Sequence, residues 1–226
     1  MSMIVSLAFD GGIMMSGDNN RSMFIGGGKE KYIIESHFRK LYITPSNVGI
    51  SFGGDAETKK CFPLEKIIEI FLRNIDAEIN TPMKTAQSLL DFLRSHDKES
   101  YFYAHVCGYE VKNNIATPQI IKVISNKNLL ELANKNPDVP FVTWAAASQC
   151  PEKLVTPYGK EYRFWVSAER AYEFTNFLFK TSSDITNQEE GARLIGEKPD
   201  ILIIRPFNHT WVNLNELKTE AEKNVA

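Results

Sequence analysis

The start of the chain limits its fold most. Met3 to Phe9 is an apolar run with β-branched members, Gly11-Gly12 interrupts it, and Ile13 to Ser16 resumes the pattern. Two strands joined by a glycine-rich hairpin follow. Ser2 stands directly before the first strand and behind a single Met1. Removal of Met1 leaves Ser2 with both a hydroxyl and a free amine, so that one residue supplies a nucleophile and its base.

Further strands and helices follow in blocks. Asn19-Asn20 and Gly26-Gly27-Gly28 break the chain between 19 and 38, where a loop or a short β-excursion is expected. Lys40 to Thr44 and Val48 to Phe52 read as two strands about a Pro45-Ser46-Asn47 turn. Leu64, Ile67, Ile68, Phe71 and Leu72 form the stripe of an amphipathic helix starting near Pro63. Thr81-Pro82 opens a second helix, with Ala86, Leu89, Leu90 and Leu93 at helical spacing. Strands are expected over 101–108, 119–125 and 141–147. Residues 126–140 read as polar and partly helical, and 149–162 as a loop. Ser167 caps a helix expected to end near Lys180, strands follow at 201–204 and 209–212, and a short charged helix is expected from Asn213. Helices grouped between blocks of hairpin strands predict an α+β architecture, a four-layer αββα sandwich of two antiparallel sheets covered by helices. At 226 residues the chain suits one domain spanning 1–226.

Composition excludes several function classes. A net charge of −2 gives no electrostatic reason to expect nucleic acid. The apolar runs are too short for a membrane span, and no basic-then-apolar leader opens the chain, so a cytoplasmic protein is expected. Cys61, Cys107 and Cys150 are odd in number and lack zinc spacing, which fits a reducing compartment. His37, His96, His105 and His209 share no metal spacing, so neither metal nor cofactor is expected. Gly26-Gly27-Gly28-Lys29 is followed by Glu30 rather than Ser or Thr, which argues against a phosphate loop. Trp144 and the phenylalanines around Phe174 read as core.

Taken together, these residues resemble the β-type proteasome subunits and related bacterial peptidases of the N-terminal-nucleophile hydrolase superfamily. The likeness is good over residues 2 to 57. Starting at Ser2, IVS and then SGD match the opening strands, with Ser2 at the nucleophile and Asp18 at the active-site aspartate. Lys40 falls on the active-site lysine, and Phe52-Gly53-Gly54 places Gly54 at the oxyanion donor. Leu194-Ile195-Gly196 and Pro199 to Ile203 resemble a later segment of bacterial members. Where the family has an arginine, this chain has Asn20, with Arg21 adjacent. Its Gly-Ser-Gly segment becomes Ala145-Ala146-Ala147-Ser148, which leaves Ser148 as the candidate serine, and Asp184 is the candidate for a later aspartate.

The resemblance implies a peptidase that acts on peptide or unfolded-protein substrates and self-assembles into a ring, and it leaves open whether an ATP-dependent unfoldase is a partner. It also carries the specificity pocket onto Phe38, Tyr42, Phe52, Ala56 and Lys60, where Phe52 at the base would make the pocket shallow. In such a site the Ser2 amine, with a reference pKa near 8, is the base. Lys40 would depress that pKa and polarise the hydroxyl, Asp18 would hold Lys40 charged, and Gly54 N–H would face the oxyanion. Two other readings remain open, a non-catalytic subunit of the same fold and an amidase acting on a small amide.

Overall fold

The computed structural model describes residues 2–25, 31–35, 38–55, 57–58, 62–76, 78–137, 139–146, 150–155, 167–190 and 194–212. The opening hairpin forms as the sequence predicts. Strand β1 (Met3–Phe9) pairs antiparallel with β2 (Gly12–Gly17), and Gly11 turns the chain at φ +84°. β3 (Arg21–Ile25) and β4 (Lys31–Glu35) make a separate two-stranded antiparallel sheet in the segment expected to be a loop or a short β-excursion. β5 (Leu41–Ile43) and β6 (Gly49–Gly54) follow. Helix α1 (Leu64–Asn74) begins after Pro63, and α2 (Pro82–His96) is capped by Thr81, whose side chain accepts the Lys84 N–H.

The second half departs from expectation in four places. β7 (Phe102–Lys112) and β8 (Ile115–Ile124) are longer than the sequence suggests, because Asn113 and Asn114 both adopt positive φ and close a tight turn. β9 (Leu129–Leu132) occupies a segment expected to be partly helical. Its half-buried Leu130 and Leu132 alternate with exposed residues at strand period, and it pairs with β8. After β10 (Phe141–Ala146), the expected loop contains a short helix α3 (Cys150–Val155), anchored by Leu154 and Val155 on the core. α4 (Ala168–Glu190) continues ten residues beyond Lys180. Its buried stripe passes to Ser182, Ser183 and Thr186, so the apolar signal stops before the helix does. β11 (Asp200–Ile204) and β12 (His209–Trp211) close the described chain, and the tail expected to be helical lies outside the described residues.

One sheet has the order β10-β1-β2-β11-β12 and the other β5-β6-β7-β8-β9, with all pairings antiparallel. Three apolar clusters fill three layers. Tyr42, Ile50, Phe52, Ala104, Val106 and Ile121 pack against α1 and α2. Met3, Val5, Leu7 and Met14 pack against α3 and α4. Ala8, Ile13, Met15, Leu41, Cys107 and Ile120 meet between the sheets. Alternation along β1 and β7 sends successive residues to these different layers, which gives the expected αββα sandwich. At Gly49 the approach is close, since a Cβ there would lie 2.4 Å from Met15 Sδ.

The layer between the sheets is not wholly apolar. Ser6 of β1 and His105 of β7 are both buried, with Ser6 Oγ 2.9 Å from His105 Nδ1. Burial, reinforced by the Lys122 charge, pushes the His105 pKa down to about 3. The unfolded chain therefore binds a proton below the ordinary histidine pKa that the folded chain refuses. This contribution to stability is complete above about pH 6.5 and declines by about 1.4 kcal/mol per unit as pH falls toward 3. Urea unfolding of the native protein and of His105→Gln at pH 7 and pH 5 should show the native protein losing about 2 kcal/mol more. Equal losses would contradict the assignment.

Candidate functional site

The site is built where β1, β2, β5 and the loop before β11 converge. Asp18 follows β2 directly and is fully buried. Its backbone N–H donates to the Met3 carbonyl at 3.1 Å, which aims the carboxylate back at the start of β1. Asp18 Oδ1 accepts the Met3 N–H at 2.7 Å and the Lys40 ammonium at 2.7 Å. Oδ2 accepts the backbone N–H groups of Asn20 and Gly196, each at 3.3 Å. Four donors thus surround one buried carboxylate, the arrangement that makes burial of a charge tolerable.

Lys40 enters from the residue before β5 and is only 2 % exposed. Beyond Asp18 it donates to the Asn20 carbonyl. Burial lowers its pKa, and attraction to Asp18, with a smaller contribution from Asp200, partly restores it. The backbone makes room for this lysine, because a Cβ at Gly17 would stand 3.1 Å from Lys40 Cβ. Asn20 therefore contributes through its main chain on both sides of the pair.

Ser2 is half-buried at the mouth of this arrangement, and Met1 lies outside the described residues. Two hydrogen bonds fix the Ser2–Met3 peptide. The Met3 N–H is held by Asp18, and the Ser2 carbonyl accepts from Tyr103 Oη at 2.9 Å. Tyr103 reaches across from β7 and is 6 % exposed. Burial pushes its pKa up, and the negative charge of Asp18 pushes further, so the phenol stays a donor. Its ring lies over Gly53, where a Cβ would sit 2.5 Å from the hydroxyl. Gly54 ends β6 at φ +122°, and a Cβ there would fall 2.1 Å from the Tyr101 carbonyl. Geometry and packing both require glycine at that position.

Phe38, Tyr42 and Phe52 come together as an aromatic cluster. Tyr42 stacks on Phe52 at 5.8 Å, and Phe38 meets Phe52 edge-on at 6.4 Å. Phe52 is 2 % exposed and fills the space beneath its neighbours. Ala56, Lys60 and Ser148 lie outside the described residues. Asp184 is half-buried on α4. Among the described residues there is no group of three or more His, Cys, Asp or Glu side chains placed to hold a metal ion.

Tyr103 is the residue that sequence reasoning missed, since it sits inside an ordinary strand pattern and its contact is 101 residues distant in the chain. Gly196 lies in a segment singled out from the sequence, but its bond to Asp18 depends on a backbone approach that the segment does not disclose. A Cβ at Gly196 would stand 2.6 Å from Asn19 Oδ1.

Lys40→Ala leaves Asp18 buried without its cation and should destabilise the protein by about 3–5 kcal/mol, read by urea unfolding. Tyr103→Phe removes one neutral hydrogen bond and should cost only about 1 kcal/mol in the same measurement. Reversal of that order would refute the weights given to the two contacts.

No family model matches the chain, and no curated protein does. Solved structures do. Over 100 % of this chain and 96 % of its own, the Anbu (Gly-1) mutant from Hyphomicrobium sp. strain MC1 superposes with a TM-score of 0.62 at 13 % identity. Anbu (ancestral beta-subunit) from Yersinia bercovieri gives 0.61 at 13 % identity over 99 % and 94 %. Together with the sheet order and layers, these similarities show that the chain has the proteasome-like αββα sandwich fold.

Proposed function

We propose that the protein is a proteasome-like peptidase that cleaves peptide bonds with Ser2 after loss of Met1. One observation carries the reading: a buried Asp18–Lys40 ion pair whose carboxylate also holds the peptide N–H immediately following Ser2. A buried pair is a poor stabiliser compared with apolar packing, so its place beside the first residues calls for a chemical reason.

In this reading Ser2 Oγ attacks the substrate carbonyl while the α-amine takes the hydroxyl proton. An ammonium has three N–H groups. Lys40 uses two of them, on Asp18 and the Asn20 carbonyl, and the third serves the Ser2 hydroxyl. Gly54 N–H receives the developing oxyanion, and a donor of this kind is worth about 3 kcal/mol in the transition state. The amine then returns the proton to the leaving nitrogen, the C–N bond breaks and a Ser2 ester remains. Water, deprotonated by the same amine, releases the acid product and regenerates Ser2. The packed Phe38–Tyr42–Phe52 cluster supports a shallow pocket that favours small or medium apolar residues before the cut.

Ring assembly of identical subunits, an unfoldase partner and a cytoplasmic setting belong to the same proposal. Among the described residues, no helix is long and apolar enough to cross a membrane.

Intact mass should show the natively expressed chain without Met1, and an epoxyketone or β-lactone probe should label it at Ser2. Ser2→Ala should abolish the label. A retained Met1, or labelling that survives the substitution, would remove Ser2 as the nucleophile.

A further inference from the structure

A cleft of about 320 Å³ opens between the sheets on the β7, β8 and β10 side of Ser2. Side chains of Tyr101, Tyr103, His105, Lys122, Ala145 and Glu152 are among its lining residues. Tyr103 joins it to the site, since the same phenol that lines the cleft donates to the Ser2 carbonyl. The Phe38–Tyr42–Phe52 cluster lies on β5, β6 and the residues before them, in the layer that packs against α1 and α2. In the peptidase reading, with the acyl residue toward that cluster, the cleft is the space beside Ser2 open to the leaving portion.

The charges in the cleft are few. Lys122 is half-buried and is the one cation among the described lining residues. It forms no ion pair among the described residues, although exposed Glu131 stands opposite it across the β8–β9 register. His105, at the back, stays neutral at physiological pH for the reasons of burial given above. Glu152 belongs to α3 and is exposed, so solvent screens it more than it screens Lys122. Tyr101 is 41 % exposed and packs against Tyr103 with ring centroids 5.6 Å apart, forming an aromatic wall. Ala145 keeps the facing wall small.

We infer that this cleft is a recognition site for a carboxylate at the end of a short peptide segment, with Lys122 as its charge partner and the Tyr101–Tyr103 wall beside the chain. The inference rests on the peptidase reading and narrows its substrate class to peptides cut close to a free C-terminus. A cavity of this size is at the small end of ligand sites and suits a residue or two rather than a long strand. A cation in a partly desolvated cleft favours a carboxylate over a neutral amide of equal shape.

The test uses the Ser2→Ala protein and a short peptide in free-acid and C-terminal amide forms, titrated by calorimetry. The acid should bind about ten-fold tighter than the amide. Lys122→Gln should erase that difference, Lys122→Arg should keep it, and Ala145→Leu should weaken both ligands by filling the cleft. Each variant is checked for native circular dichroism. Equal affinity of acid and amide, binding of neither, or a preference unchanged in Lys122→Gln overturns the inference. Hydrolysis of the same two peptides by the unsubstituted protein separates the two readings. Ser2 labelling and turnover without acid preference would sink the cleft assignment alone. Acid-selective binding without Ser2 labelling would sink the peptidase and leave the cleft as a carboxylate site.

Discussion

The Asp18–Lys40 pair is the contact on which the region around Ser2 depends. Desolvating both ions costs more than their attraction returns unless further hydrogen bonds complete them. Those bonds come from the backbone, through the N–H groups of Met3, Asn20 and Gly196 and the carbonyl of Asn20. The pair therefore draws together the start of β1, the end of β2, the residue before β5 and the loop before β11. Four chain segments distant in sequence are positioned by one ion pair, and a loss there would be felt in the orientation of the first peptide.

The layer between the sheets shows how the fold affords polar chemistry within a core. Facing helices, both sheets bury continuous apolar clusters. Facing each other, they bury apolar residues toward β11 and polar ones toward Ser2: Ser6 against His105, then Tyr103 against the Ser2 carbonyl. Both of these hydrogen bonds cross from one sheet to the other, whereas the buried Ser51 hydroxyl, beside His105 in the sheet register, has no hydrogen-bond partner among the described residues. The two bonds link the sheets where the apolar packing thins out, which lets a cleft exist beside Ser2 without leaving the bonded groups unsatisfied.

Much of the fold was legible because periodicity reports burial directly. The first hairpin, the β5–β6 pair and the helices α1 and α2 all carry clean patterns, and Thr81 marks a helix start by its own hydrogen bond. The misread segments share a physical cause. α4 outlasts its apolar stripe because its last turns bury Ser182, Ser183 and Thr186, whose small hydroxyl side chains carry no apolar signal in the sequence. β9 is polar and brief, and it is held by the edge of β8 rather than by its own composition. Of the site, the resemblance over residues 2 to 57 led to Asp18 and Lys40, which meet as a buried ion pair. Tyr103 was not legible, since its partner lies across the sandwich and nothing local requires a tyrosine there.

That asymmetry bears on where specificity resides. The groups read from the sequence lie on or beside β2, β5 and β6, and under the proposed function the chemistry is theirs. Tyr101, Tyr103, His105 and Lys122 lie on or beside β7 and β8, whose long hairpin is set by the Asn113-Asn114 turn rather than by any catalytic requirement. Alternation along β7 commits Tyr103, His105 and Cys107 to the inter-sheet layer while Phe102, Ala104 and Val106 hold the helices. A change in the first set is therefore free of the packing that anchors α1 and α2. One face of a single strand can vary what the cleft recognises while the other keeps the sandwich intact, so recognition can change without moving the Asp18–Lys40 pair.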